Sequence, residues 1–555
     1  MTQILLAQER TLSGVVRADD GSTLPGVNVT IKGTTNGTTT DENGKYTIQV
    51  PNDDAVLIYS FIGMEDQEVP VASQSNIDVG MVSGMVLDEV VVTALGISRE
   101  KKALGYSTQS VSGEDVARVK DVNFMSALSG QVSGAQIKNS GTMGGSANVI
   151  IRGYKSINGN NQPLYVVDGI PISNAITNSR NQRTGRGGFD YGNAAMDINP
   201  EDIEKIEVLK GAAATSLYGA RAANGVVIIV TKKGAKNKNG VGVTISSGVM
   251  AGVINNNTMP VYQKEYGPGY GQYYGSDTVF TGDIYDGYVE EVDTDGDGVI
   301  DGLASPIGED ASYGLAFDRA DELLTWESIY PELEDTYLKP QPYEAAENDA
   351  TTFYETAMQL TNSVSVDGGN ENGTYRMSVS DMRYKGIMPN SSLRRNNASI
   401  NVSYNLSDKL SVSSSMTFVK NEGLGRYGTG YDSRNVNQSF RQWYNVGTDY
   451  QAQWEAYDKT GKNLTWNPLG FGFAEGTRER PHYFDNPYFM RYESYANDVR
   501  NRIIGNVAAT YQLTDWLSVM GRVTNDSYDE LREERIADGS VDVPMYYKYT
   551  RSYYE

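Results

Sequence analysis

The residues of this sequence with the clearest capacity for chemistry are acidic. Asp293-Thr294-Asp295-Gly296-Asp297-Gly298-Val299-Ile300-Asp301 sets carboxylates at loop positions 1, 3, 5 and 9, with glycine at 6 for the bend. Hard oxygen ligands at this spacing wrap a Ca²⁺ ion, and the carbonyl of Val299 would supply position 7. Position 12 is Ala304, so the bidentate glutamate of a full EF-hand loop is missing. Glu309 and Asp310 are the acids that could stand in for it. The expected role of the ion is structural, ordering the loop; the competing reading is a solvated acidic turn.

Other chemistries are poorly supplied. The chain has no cysteine, which removes disulfides, thiolate nucleophiles and thiolate metal sites. Its one histidine, His482, has no nucleophile-elbow motif nearby, and no pair of carboxylates stands out for hydrolysis. No catalytic residue is assigned, no organic cofactor is expected, and a Ca²⁺-dependent hydrolase is a weak rival. A net charge of −23 leaves no basic stripe for phosphates, which argues against nucleic acid.

The acidic loop must be carried by β structure. From Gly240 onward, apolar residues alternate with small or polar ones: Val241, Val243, Ile245, Val249 and Val253, then Ala398, Ile400, Val402 and Tyr404, then Val507, Ala509 and Tyr511. The pattern predicts strands near 241–253, 359–367, 374–385, 396–406, 410–420, 500–513 and 516–525. No run of about 18 apolar residues exists, so a helical span is excluded, but a transmembrane barrel hides its apolar face in such alternation. The tight turns at Gly368–Gly373, Ser407–Lys409 and Thr514-Asp515 fall on one side and the longer connections on the other, as in an outer-membrane barrel.

Upstream, residues 1–9 read as a remnant of a signal peptide. Residues 10–84 carry short strands punctuated by Leu24-Pro25-Gly26 and Asp41-Glu42-Asn43-Gly44, a small β-sandwich. Asp88-Glu89-Val90-Val91-Val92-Thr93 opens a strongly β-prone segment within a linker, 85–102. Ile198 to Lys233, INPEDIEKIEVLKGAAATSLYGARAANGVVIIVTKK, reads as compact α/β structure. Asn199 caps a short helix with Pro200 at its first position, Ala212 to Leu217 forms another, Asn224-Gly225 turns, and Val226–Val230 is a strand buried on both faces.

The wording of that last stretch closely resembles the end of the plug domain in the SusC-like (SusC/RagA) TonB-dependent outer-membrane transporters of Bacteroidetes. Residues 10–84 resemble the carboxypeptidase-regulatory-like domain that precedes many of them. The resemblance implies a mainly β protein: an N-terminal β-sandwich, a small α/β plug (103–235), then the first part of an antiparallel transmembrane β-barrel (236–555). It makes Asp88, Glu89, Val90, Val91, Val92 and Thr93 the TonB box. Arg152, Asp168 and the polar loop Asn174–Asn193 fall in the plug, the first two as cap or turn partners, with substrate contact as the alternative, and the loop facing an incoming ligand. The implied function is TonB-dependent import of an oligosaccharide or peptide across the outer membrane, with the N-terminal domains periplasmic. The implied partners are TonB with ExbB and ExbD, a SusD-like surface lipoprotein and outer-membrane lipid. The family barrel has 22 strands, whereas this chain supplies seven or eight and ends at Tyr553-Tyr554-Glu555 in what reads as a fresh strand. The expectation is therefore the N-terminal part of a longer protein, not competent for transport as it stands, with substrate-binding residues unassigned. The alternative is a surface glycan-binding protein or adhesin whose alternating strands form soluble sandwiches.

Overall fold

The computed structural model describes residues 10–19, 21–34, 36–61, 64, 66–82, 90–92, 98–100, 108–157, 159–174, 178–211, 216–235, 240–271, 288–300, 302–319, 322–541 and 551–554. The chain divides into two compact units, residues 1–93 with 97–107, and residues 94–96 with 108–555.

In the first unit, alternation in Arg10–Ala18 and Lys45–Val50 buries every second residue, as a strand with one wet face requires. Arg10–Ala18 pairs antiparallel with Lys45–Val50 and parallel with Val79–Met81. A second sheet runs Gly37–Thr39, Asn28–Ile31, Val56–Ser60, Gln67–Pro70. Leu12, Val16, Val29, Ile48 and Leu57 share one core between the sheets. The buried Tyr46 hydroxyl lies 2.6 Å from that of Tyr59 and donates to the Ile77 carbonyl at 2.8 Å, so this polar pair in the core is satisfied. The expected sandwich is present.

The second unit begins with a five-stranded sheet, in the order Thr108–Ser112, Ile203–Leu209, Val226–Thr231, Leu164–Val167, Ile170–Ile172. Val226–Thr231 is buried at every position because it is central and covered on both faces, as its unbroken apolar run predicted. It enters through the Asn224-Gly225 turn. Gly225 has φ of +101°, and a β-carbon there would meet the Leu209 carbonyl at 3.0 Å. The helix Gly113–Val119, capped by the Ser112 hydroxyl, and the 3₁₀ turn Phe124–Leu128 cover one face. Of the helix expected over Ala212–Leu217, residues 212–215 lie outside the described residues.

Eight strands follow as one antiparallel sheet: Gly242–Gly252, Ala357–Gly369, Gly373–Lys385, Ser392–Asn405, Leu410–Leu424, Ala496–Thr514, Leu517–Ile536 and Arg551–Tyr554. The predicted strands are all there, and most run further at their long-loop ends than the alternation alone indicated. Paired hydrogen bonds keep a strand going after the apolar pattern stops. One face of this wall is apolar and exposed, carrying Val243, Ile245, Val249, Val379, Met416, Val507 and Val523. The other is polar and lies against the plug. A single continuous sheet with an apolar outer face replaces the soluble sandwiches that the adhesin alternative required. Among the described residues the first and last strands do not pair with each other, and no helix is long and apolar enough to cross a membrane.

The long connections are not loose. Their helices Val436–Gln442, Tyr450–Thr460 and Pro487–Glu493 pack around Phe353, Phe440, Tyr450 and Tyr488, and a second core gathers Trp326, Tyr330, Leu464 and Trp466. The sequence reading treated these segments as loops; aromatic burial makes them a folded cap.

Candidate functional site: the plug seated on the strand wall

Where the plug meets the wall, arginines project inward from membrane-type strands. Arg500 and Arg502, two residues apart on Ala496–Thr514, share one face by the strand period. Both reach Asp197, a fully buried plug residue at the end of the 3₁₀ turn Ala194–Asp197. Arg502 Nη1 donates to Asp197 Oδ2 at 2.9 Å, Arg500 Nη1 to Oδ1 at 3.5 Å, and Asn421 Nδ2 to Oδ1 at 2.6 Å. The wall supplies its own counter-charges: Arg502 also pairs with Asp526 (2.8 Å) and Arg500 with Glu530 (2.7 Å).

A second contact centres on Asp202. Asn199 caps its turn by accepting from the Glu201 N–H, and donates to Asp202 Oδ2 at 3.0 Å. Arg376 Nη1 (2.8 Å) and Ser378 Oγ (2.7 Å), from the wall, donate to the other carboxylate oxygen. Arg395 is buried between the two carboxylate sites and donates to the Val122 and Met196 carbonyls at 2.8 and 2.9 Å. Lys120 pairs with Glu201 and with Ser246 of the first wall strand. The seam is thus polar and hydrogen-bonded, with an apolar contribution from Ile504 to the plug core. Sequence reasoning missed these residues. Their signal was present: Arg376, Arg395, Arg500 and Arg502 interrupt alternating strands on the face opposite the apolar one, where a membrane strand keeps its charges.

Arg152 and Asp168 have φ of +58° and +47°, each at a turn before a glycine. The Asp168 carboxylate accepts from the Thr231 N–H (3.0 Å) and hydroxyl (2.6 Å), which ties two plug strands together. Asp168 thus acts as a turn partner. In the loop Asn174–Asn193, residues 175–177 lie outside the described residues. The rest is anchored: Asp190 accepts from Ser146 and Asn178, Gly188 N–H donates to Asp432 Oδ2 at 3.0 Å, and the Tyr191 hydroxyl donates to Glu534 at 2.9 Å. It therefore docks on the cap through Asp432 and on the wall through Glu534.

At the long-loop end, Tyr270, Glu309, Asp310, Tyr431, Trp443 and Tyr483 line an open cavity of about 810 Å³. Tyr270 donates to Asp310 at 2.6 Å, and His482 stacks on Tyr483 with Nδ1 3.0 Å from the Gly308 carbonyl. Aromatic faces beside carboxylates suit a polar organic ligand. Burial, and then the neighbouring Glu309, raise Glu290 to about 7.

The acidic loop brings Asp293, Asp295 and Asp297 together, one oxygen of each lying within 4.8 Å of the others. Asp293 also accepts from the N–H groups of Gly298 (2.7 Å), Gly296 (2.7 Å) and Asp297 (3.2 Å), which lower its carboxyl below the usual range. Among the described residues Glu309 and Asp310 are not gathered with these three carboxylates, and Asp310 accepts from Tyr270. Val299 is exposed, and Asp301 lies outside the described residues. Three hard carboxylates fit a hard divalent ion. Of the expected TonB box, Val90–Val92 is a short strand paired with Ser98–Glu100. Asp88, Glu89 and Thr93 lie outside the described residues.

A mixed plug sheet held by a polar seam inside a lipid-type strand wall is the make-up of a TonB-dependent receptor. Residues 100–226 match the TonB-dependent Receptor Plug Domain family, and residues 12–92 the CarboxypepD_reg-like domain. The chain is 31% identical over 397 residues to the TonB-dependent receptor SusC of Bacteroides thetaiotaomicron, covering 71% of this chain and 32% of SusC. It is 42% identical over 225 residues to the TonB-dependent receptor P26 of Formosa agariphila, covering 40% of this chain and 21% of that protein. In fold it is similar to a chain of the RagAB peptide importer in its open-open state, with TM-score 0.54 and 21% identity, covering 84% of this chain and 45% of that one. The chain is similar to SusC in sequence and SusC/RagA-like in its domains and fold. It spans about a third of SusC's length.

Proposed function

We propose that this chain serves TonB-dependent import of a nutrient, an oligosaccharide or a peptide, across the outer membrane. The tight-turn end of the wall faces the periplasm and the cap faces outward. Substrate enters at the cap, with a SusD-like lipoprotein as its lid. TonB, energised with ExbB and ExbD, pulls on Asp88–Thr93, and the plug rearranges to open a path along the wall. The observation that carries this reading is the polar seam. Its hydrogen bonds can be exchanged for water as the plug moves, so opening costs far less than tearing apart an apolar core of the same size. Ca²⁺ held by Asp293, Asp295 and Asp297, with the Val299 carbonyl and Asp301, stiffens the outer loop. Deleting residues 88–93 in the producing cell tests the coupling. Ligand binding at the surface should persist while uptake fails; unchanged uptake would sink the assignment.

A further inference from the structure

The segment Val90–Val92 is not a lone strand. It pairs antiparallel with Ser98–Glu100, in the register Val90 with Glu100, Val91 with Arg99 and Val92 with Ser98. The sheet contains these two strands only, so among the described residues the other edge of Val90–Val92 has no strand beside it. A strand already extended and hydrogen-bonded on one side presents unpaired N–H and C=O groups on the other, which is the template that another protein's sheet edge completes. An unpaired segment would have to lose about 1 to 2 kcal/mol of backbone entropy per residue on docking. Pairing with Ser98–Glu100 meets part of that cost beforehand.

We propose that Ser98–Glu100 is a scaffold strand that holds Val90–Val92 as a preformed docking edge, and that the partner adds a strand to this hairpin without displacing it. The inference rests on the reading of Val90–Val92 as the segment TonB engages. It assigns a role to Ser98, Arg99 and Glu100, whose contribution is positional: they set the backbone of the docking strand. Two-stranded hairpins are marginally stable, so the docking-competent fraction is well below one, and the apparent affinity scales with that fraction.

The chain has no cysteine, so a Val90→Cys/Glu100→Cys pair gives the whole protein a single cross-strand disulfide. Opposed residues of an antiparallel pair have Cα atoms about 4.5 to 5.5 Å apart, within disulfide range. Binding of the full chain to the purified, cysteine-free periplasmic domain of TonB is measured in the oxidised and reduced states. The oxidised form should bind at least as tightly as the reduced form. Ser98→Pro/Arg99→Pro removes one inward N–H whichever residue carries it, and should weaken binding about tenfold. Loss of binding on oxidation with recovery on reduction would overturn the proposal, because the docking strand would then have to leave its hairpin. So would unchanged or tighter binding by the proline pair. Val91→Pro/Val92→Pro separates the two readings: wild-type binding by that variant would refute the docking segment itself, whereas its loss of binding leaves only the scaffold role in question.

Discussion

Replacing Asp197 by asparagine tests what holds the plug to the wall. The substitution keeps shape and removes one charge from a site with no solvent exposure. Asp197 accepts from Arg502, Arg500 and Asn421, so the charge lost is opposite two guanidinium groups. Breaking a buried pair on one side costs about 3 to 5 kcal/mol. Here the lower end applies, because Arg502 keeps Asp526 and Arg500 keeps Glu530. About 3 kcal/mol is roughly a hundredfold in an opening equilibrium. Hydrogen exchange at residues 194–203, whose amides lie along the seam, should therefore speed up by about two orders of magnitude. Asp381→Asn is the control. Its partners Arg383 and Arg394 are about half exposed or more, so that pair is worth less than about 1 kcal/mol. A double-mutant cycle of Asp197→Asn with Arg502→Gln should give a coupling of about 1 to 3 kcal/mol. If Asp197→Asn exchanges no faster than Asp381→Asn, the seam is not what seats the plug.

Other expectations follow from the cap, the loop and the wall. Glu290 binds its proton more tightly folded, near pH 7, than unfolded, near 4.3, so the stability it contributes is complete below about pH 4.3 and is lost as pH rises through 7. Glu290→Gln should flatten that slope and stabilise the cap at pH 8 by about 3 to 4 kcal/mol, read by fluorescence melting of Trp326 and Trp466; an unaltered pH slope would refute this. Calorimetric titration with Ca²⁺ should show one site that Asp295→Asn weakens about tenfold or more; no heat from the wild type would remove the metal reading. Val379→Arg places a charge on the exposed apolar face of a central wall strand and should cost about 2 to 4 kcal/mol of folding stability in lipid vesicles, while Val379→Leu should not.

Much of this protein is legible from the chain alone because its signals are local. The two-residue period of Val241 to Val253 fixes which face of that strand is apolar, whatever its neighbours are. The unbroken Val226–Val230 run marks a central strand, and Asn224-Gly225 its entry, since only backbone conformation and burial enter those readings. The spacing of Asp293, Asp295 and Asp297 likewise set three carboxylates around one point, and the fold gathers them.

What required tertiary structure involves partners far apart in sequence. Asp197 and Arg502 are separated by 305 residues. No periodicity links them, because the contact depends on the plug being placed against one particular stretch of wall. The hydrogen bond from Tyr270 to Asp310, across 40 residues, is likewise a contact that spacing cannot show. The cap, read as loops, folds because its aromatic residues find one another across two connections, and burial of that kind is decided in three dimensions. Local pattern determined the strands, the turns and the faces of this chain; the polar seam between plug and wall is a product of the fold.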